Sequence, residues 1–149
     1  MTRLYLDVCC LNRPFDDQSQ DRIRLEAEAV RIILIRVHDR DLHWTSSEVV
    51  NLEIEKTPDA QRRSRVRQIA QSAHNMVPLR PAEEARGIEL ERLGFRPFDA
   101  LHLACAESAG VDVLLTTDDD LLRKASRNRA ALRVRVMNPL LWAREAGAV

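Results

Sequence analysis

Lysine is almost missing from this chain: of 23 basic residues, all but Lys56 and Lys124 are arginine. Neither lysine ends an apolar run, which excludes the strand-end lysine of a receiver-type phosphoacceptor domain. Glycine is scarce too, with four residues, and no Gly-rich loop runs into Lys-Ser/Thr. That excludes a P-loop nucleotide site, and a serine-hydrolase elbow is missing as well. Aromatic residues make up 4% of the chain, too few for a visible platform on which single-stranded bases could stack. Only three cysteines occur, Cys9, Cys10 and Cys105. Their odd number and uneven spacing do not make a disulfide framework, so they read as reduced thiols. His38, His43 and His74 show no ligand spacing, so no zinc pattern is present. No apolar run reaches the ~20 residues needed to span a bilayer, and the first residues lack the basic-then-apolar pattern of a leader. The expectation is a cytoplasmic protein with no membrane association. Acidic and basic residues balance at 23 each. Zero net charge excludes an all-round basic coat but leaves room for a local basic groove.

What is present is an ordinary globular composition, with 45% apolar residues among 149. That length fits one domain, expected over residues 1–149. Strand-like and helix-like segments alternate, the pattern of an α/β fold with a central parallel sheet flanked by helices. Strands are expected over 3–8, 42–46, 111–116 and 132–137, with a short extended piece at 75–79. Ile23, Ala27, Val30, Leu34 and Val37 keep a three-to-four spacing that predicts a helix over 21–38. Further helices are expected over 48–56, 59–72, 81–93, 98–108, 118–127 and 139–146. Residues 9–17 read as a loop. The run 111–116, Val-Asp-Val-Leu-Leu-Thr, is the clearest strand, nearly continuous in apolar residues as a buried parallel strand should be.

In open α/β sheets, ligands sit beyond the carboxyl ends of the strands. Two acids fall there. Asp7 ends the first strand behind Leu4-Tyr5-Leu6, and Asp118 follows the strongest strand in Leu-Leu-Thr-Thr-Asp-Asp-Asp. Asp99 starts a helix as the only acid in a core-like segment, Phe-Asp-Ala-Leu-His-Leu-Ala. Glu53 lies one turn into the helix after the second strand. Taken singly, each has an ordinary explanation. Asp7 fits a turn, Asp118 and Asp99 fit helix starts, and Glu53 fits a surface pair with Lys56. Taken together they differ, because carboxylates gathered at one sheet edge repel one another unless a cation joins them. Hard divalent cations favour such oxygen ligands.

Four segments carry a resemblance to a known family. They are Leu-Tyr-Leu-Asp7, Ser47 with Glu53 six positions on, Phe98-Asp99-Ala-Leu-His-Leu-Ala, and Leu-Leu-Thr116-Thr-Asp118. In order and spacing the chain resembles the PIN-domain nucleases, which include the toxins of VapBC-type toxin–antitoxin pairs. The resemblance spans about residues 3–137. It implies a single PIN-like α/β domain acting as an endoribonuclease dependent on Mg²⁺ or Mn²⁺. It implies Asp7, Glu53, Asp99 and Asp118 as metal-binding acids, Asp120 as an accessory acid and Thr116 as the hydroxyl that helps hold the site. It also implies an RNA substrate, a small antitoxin partner and a homodimer, for which the apolar faces of helices 21–38 and 48–56 are candidate surfaces. The family's small polar pair after the first Asp is replaced by Val8 and Cys9, and the following Cys-Leu-Asn-Arg-Pro-Phe-Asp-Asp is not the commonest toxin loop. Both mark a distinct branch.

Other features have two readings. Asn12 and Arg13 could meet a scissile phosphate or simply bond within their loop. Arg62, Arg63, Arg65 and Arg67 could grip an RNA backbone or an acidic partner, although the run reads first as a solvated helix face. His102, three residues after Asp99, shares its helix face; it reads first as a core histidine. An aspartyl phosphatase of the haloacid dehalogenase type would place an acid two residues after Asp7, where Cys9 stands. The remaining alternative is a catalytically inactive PIN-like module that binds RNA or protein.

Overall fold

The computed structural model describes residues 1–149. It contains five strands: β1 (Thr2–Leu6), β2 (Leu42–Ser47), β3 (Asn75–Val77), β4 (Val113–Leu115) and β5 (Arg135–Met137). Eight α-helices accompany them: α1 (Val8–Asn12), α2 (Asp21–His38), α3 (Glu48–Ile54), α4 (Ala60–Ala70), α5 (Pro81–Arg92), α6 (Pro97–Ser108), α7 (Asp119–Arg127) and α8 (Pro139–Glu145). The expected alternation is present, and every strand pair is parallel.

The strand order is β3-β2-β1-β4-β5. The chain first walks from β1 to β2 and β3, then crosses back to lay β4 on the other side of β1. The reversal therefore falls between β1 and β4, the place where a crevice opens at the carboxyl edge. Asp7 follows β1 directly and Asp118 follows β4 by one short loop. The Asp7 amide donates to the Leu115 carbonyl at 3.0 Å, and the Thr116 amide donates to Met137 at 2.9 Å. The first bond pins the ends of β1 and β4 side by side, and the second ties the end of β4 to β5.

Burial explains the composition of the central strands. Leu4, Tyr5 and Leu6 of β1 and Val113, Leu114 and Leu115 of β4 are essentially inaccessible, as expected where helices cover both faces. One connected cluster of 34 buried residues runs through the whole molecule, from Leu4 to Ala143. Helix starts follow their caps. Ser47 accepts from the Val50 amide at 3.2 Å and opens α3; Asp59 accepts from Arg62 at 2.9 Å and opens α4. Proline stands in the first turn of α5, α6 and α8. At Gly87 of α5 an added Cβ would lie 2.8 Å from Leu101 Cδ2. The missing side chain lets α5 sit tightly on α6, the helix that carries Asp99 and His102.

Two expectations need correction. Residues 9–17 are not a plain loop: Val8–Asn12 form α1 and Arg13–Phe15 a 3₁₀ turn. Asp7 itself caps α1, its Oδ1 accepting from the Val8 amide at 2.8 Å. The last two strands are also shorter than expected, because Asp112 and residues 132–134 lie outside the ladder. Asp112 instead uses its carboxylate on the Arg3 amide at 2.8 Å.

Candidate metal centre at the carboxyl edge of the sheet

Asp7 is the most enclosed of the acids, 6% exposed. Its Oδ2 accepts from the Thr116 hydroxyl at 2.8 Å and from the Cys9 thiol at 3.3 Å. Thr116 Oγ1 also accepts from the Asp118 amide at 3.1 Å, so one hydroxyl ties the two strand ends together. Cys9 occupies the position where the resemblance leads one to look for a polar side chain, and it fills that role with sulfur. Its thiol lies 3.3 Å from Thr116 Oγ1 and accepts from the Thr117 amide at 3.3 Å.

Glu53 reaches the same place from α3. Its Oε1 lies 2.6 Å from His102 Nε2, and His102 lies 3.8 Å from Asp7 Oδ1. Asp7, Glu53 and His102 each present a potential ligand atom, all within 4.8 Å of one another. His102 is fully buried, and its Nδ1 meets the Tyr5 hydroxyl at 2.6 Å, which in turn meets Ser47 Oγ at 2.6 Å. A continuous chain, Ser47–Tyr5–His102–Glu53, thus runs from under the sheet edge to the carboxylate. Burial alone would depress the His102 pKa. The hydrogen bond to Glu53 and the fields of Asp7, Glu53 and Asp99 outweigh it, so the pKa is raised. Burial drives the Tyr5 hydroxyl well above its ordinary value, keeping it neutral.

Asp99 projects from the first turn of α6. No side-chain hydrogen bond holds its carboxylate. Its pKa is pushed up to about 6, first by burial and then by the charges of Asp7 and Asp118, with a smaller contribution from Glu53. Asp118 caps α7, its Oδ1 accepting from the Asp120 and Leu121 amides at 2.9 and 3.4 Å. Asp120 is engaged elsewhere: Lys124 at 2.9 Å and Arg96 at 3.1 Å approach its Oδ2.

The structure therefore brings Asp7 and Glu53 together with His102, ties Asp118 to Asp7 through Thr116 and leaves Asp99 close enough to feel the charges of Asp7, Asp118 and Glu53. Asp99 and Asp118 stand outside the group whose ligand atoms meet within 4.8 Å, and Asp120 is drawn aside by Lys124 and Arg96. Asn12 and Arg13 are committed to internal bonds. Asn12 Nδ2 donates to the Val8 carbonyl at 3.1 Å, and Arg13 Nε donates to Glu26 at 2.9 Å. The arginines of α4 are engaged similarly. Arg62 holds Asp16 at 2.7 Å, Arg63 holds the Thr57 carbonyl at 2.7 Å, and Arg67 holds Glu55 at 2.7 Å. Arg65 lies over the Phe15 ring. Lys56, offered as a partner for Glu53, instead stands 4.9 Å from the centre of the Phe98 ring. His102 carries a polar role beyond that of a core histidine, and Tyr5 joins the site with no motif to announce it. The available signal was the three-residue step from Asp99 to His102, which puts both on one helix face.

The donor set fits a divalent cation of the hard class: carboxylate oxygens from separate elements converge with few compensating cations among them. No helix of the chain is long and apolar enough to cross a membrane. Among solved structures, the chain is similar in fold to a chain in the crystal structure of VapBC2 from Rickettsia felis bound to a DNA fragment from their promoter. The two share 12% sequence identity and a TM-score of 0.56, with 92% of this chain and 98% of that chain covered. No curated protein sequence matches. The family model of the PIN domain matches residues 4–127, a stretch that contains every acid of the site, and the chain belongs to the PIN domain family.

Proposed function

We propose that this protein is an endoribonuclease that hydrolyses RNA phosphodiester bonds with Mg²⁺ or Mn²⁺. The observation that carries the reading is the meeting of Asp7, Glu53 and His102 within 4.8 Å of one another, with Asp118 tied to Asp7 through Thr116 and Asp99 within reach of their charges. Asp7, Asp99 and Asp118 would hold the cation. Glu53 would share in holding it or orient the attacking water. When bound, the cation supplies Lewis acidity and offsets negative charge on the phosphate.

The chain's own residues do the rest. Thr116 and the Cys9 thiol fix Asp7 in one orientation. His102 holds Glu53 through Oε1 and leaves Oε2 free to face water. Tyr5 and Ser47 hold the His102 ring from behind, and the ring in turn holds the Glu53 carboxylate. Enclosure of Asp7 and His102 limits competing water and strengthens each of these contacts.

A toxin role within a toxin–antitoxin pair is part of the same proposal, supported by the fold likeness to a chain of a VapBC2 complex. The partner would be a small antitoxin that covers the acidic crevice. Exposed Ile35 on α2 and Leu52 on α3 offer apolar contacts for a homodimer. Cytoplasmic residence agrees with three free cysteines.

The test is cleavage of end-labelled single-stranded RNA by the purified protein with Mn²⁺, with Mg²⁺ and with EDTA. Cleavage is expected with either cation and none with EDTA. Asp7→Asn and Asp99→Asn should each abolish it while the protein stays folded. Full activity of Asp99→Asn would refute the assignment. Absence of cleavage together with tight RNA retention would instead favour a catalytically inactive binding module.

A further inference from the structure

The run Asp118-Asp119-Asp120 places three negative charges side by side at the mouth of the crevice, yet the structure sorts them. Asp120 is taken by Lys124 and Arg96. Asp119 is taken by Arg22, in a bidentate pair with Nη1 to Oδ2 at 2.8 Å and Nη2 to Oδ1 at 2.7 Å. Arg22 Nη2 also reaches the Thr117 carbonyl at 3.3 Å. Arg22 thus grips the residues on both sides of Asp118 without touching Asp118. Only Oδ1 of Asp118 is engaged, by the amides of its own helix, and Oδ2 has no hydrogen-bond partner.

Arg22 is itself held from beneath. Glu26, 1% exposed on α2, accepts from Arg22 Nε at 3.2 Å, from Arg13 Nε at 2.9 Å and from Asn138 Nδ2 at 2.6 Å. Arg13 continues to Asp16 at 3.1 Å, and Asp16 to Arg62 at 2.7 Å. One line of ion pairs therefore joins the segment after Asp7 to the segment around Asp118. A buried carboxylate sits at its centre, where such groups are kept only with partners.

We propose that Arg22, oriented by Glu26, is a positioning residue for Asp118, clamping Thr117 and Asp119 so that the free carboxylate oxygen of Asp118 stays turned to the metal site. The proposal rests on the nuclease reading of that site. It makes a prediction whose sign separates it from simple electrostatics. Removing a nearby positive charge should by field alone tighten cation binding. Losing the clamp should weaken it, because groups that orient ligands typically carry about 10–100-fold in metal affinity.

The experiment is calorimetric titration of the intact protein with Mn²⁺ at pH 7.5, for the wild type, Arg22→Ala, Arg22→Lys and Arg24→Ala. Arg24 lies on the same helix, paired with Asp21 at 2.9 Å, and serves as the control for charge. Arg22→Ala should bind Mn²⁺ about tenfold more weakly. Arg22→Lys keeps the charge but not the bidentate fork, and should fall between it and the wild type. Arg24→Ala should bind as tightly as the wild type or slightly more tightly. The thermal midpoint of Arg22→Ala should fall only modestly, since the Asp119 pair is half-exposed and the buried Glu26 keeps Arg13 and Asn138 as partners. Equal or tighter binding by Arg22→Ala would overturn the clamp while leaving the nuclease reading intact. Failure of the wild type to bind Mn²⁺ would overturn both. Should Arg22→Ala not fold, Arg22→Lys decides: affinity equal to the wild type overturns the proposal, and weaker binding supports it.

Discussion

Replacing Asp99 by Asn should make the metal-free protein more stable, and by an amount that depends on pH. Asp99 titrates near 6 in the folded protein instead of the ordinary 3.8. Folding therefore disfavours its charged form. Its contribution is neutral below the unfolded value, turns unfavourable as pH rises above 3.8 and is nearly fully developed by about 6. A displacement from 3.8 to about 6 corresponds to about 3 kcal/mol. The carboxyl is only partly enclosed, so solvent screening reduces this to about 1–2 kcal/mol. The charge also lies in the first turn of α6, where the helix favours an anion by about 0.3–1 kcal/mol, and Asn forfeits that. The net gain for Asp99→Asn at pH 8 is then about 1 kcal/mol, or roughly 2–4 °C in the midpoint for a chain of this length. It should shrink to nothing by pH 4. Thermal melts in EDTA at pH 4, 6 and 8 read this directly. Added Mn²⁺ should reverse the order at pH 8, because only the wild type gains full binding energy. A destabilised Asp99→Asn at pH 8, or a gain equal at all three pH values, would show that Asp99 does not face the other acids in the way described.

Three further outcomes follow from the same geometry. His102→Phe should preserve the buried volume but release Glu53, lowering kcat by about 10–100-fold, whereas His102→Gln should recover part of it; steady-state cleavage assays with circular dichroism as a folding control check this. Cys9 is half-buried while Cys10 and Cys105 are enclosed, so N-ethylmaleimide should add once, at Cys9, and Mn²⁺ should slow the reaction; intact-mass spectrometry reads both, and equal rates with and without Mn²⁺ would place Cys9 outside the metal site. Glu26→Ala removes the shared acceptor of Arg13, Arg22 and Asn138 and should cost about 3 kcal/mol, the lower end for a broken buried pair, because both arginines keep a second carboxylate; urea unfolding measures it.

The acids at strand ends were legible because position along a parallel strand dictates the edge at which a residue emerges. Asp7 and Asp118 needed only β1 and β4 to be recognised, and the apolar runs Leu4–Leu6 and Val113–Leu115 announce both. Convergence of Glu53 and Asp99 was not legible from periodicity, since it depends on how α3 and α6 cross the sheet; family resemblance supplied it. Helix α1 escaped because five residues hold barely more than one turn, too short for any period to show. What starts it is Asp7, a residue already assigned another task. His102 escaped for the opposite reason. It is fully enclosed, as a core residue would be, and its polar role shows only through Glu53 and Tyr5, 49 and 97 positions away. The arginines of α4 looked like a free basic face because their acceptors, Asp16, Glu55 and the Phe15 and Thr57 carbonyls, come from other segments.

The four acids do not share their mutual repulsion equally, and the difference assigns the burden. Asp7 has three donors, the Val8 amide, the Cys9 thiol and the Thr116 hydroxyl. Glu53 has the His102 imidazole, and Asp118 has two amides at the start of α7. Hydrogen bonds to charged groups contribute roughly 1.5–3 kcal/mol each, so these three carboxylates have partners that offset part of their crowding. Asp99 has no donor at all, so burial, with the charges of Asp7 and Asp118 added to it, lifts its pKa to about 6. A divalent cation relieves the carboxylate that lacks a partner more than those already satisfied. The gain on binding should therefore be concentrated at Asp99, and cation affinity should weaken as pH falls through about 6, where this carboxyl takes up a proton.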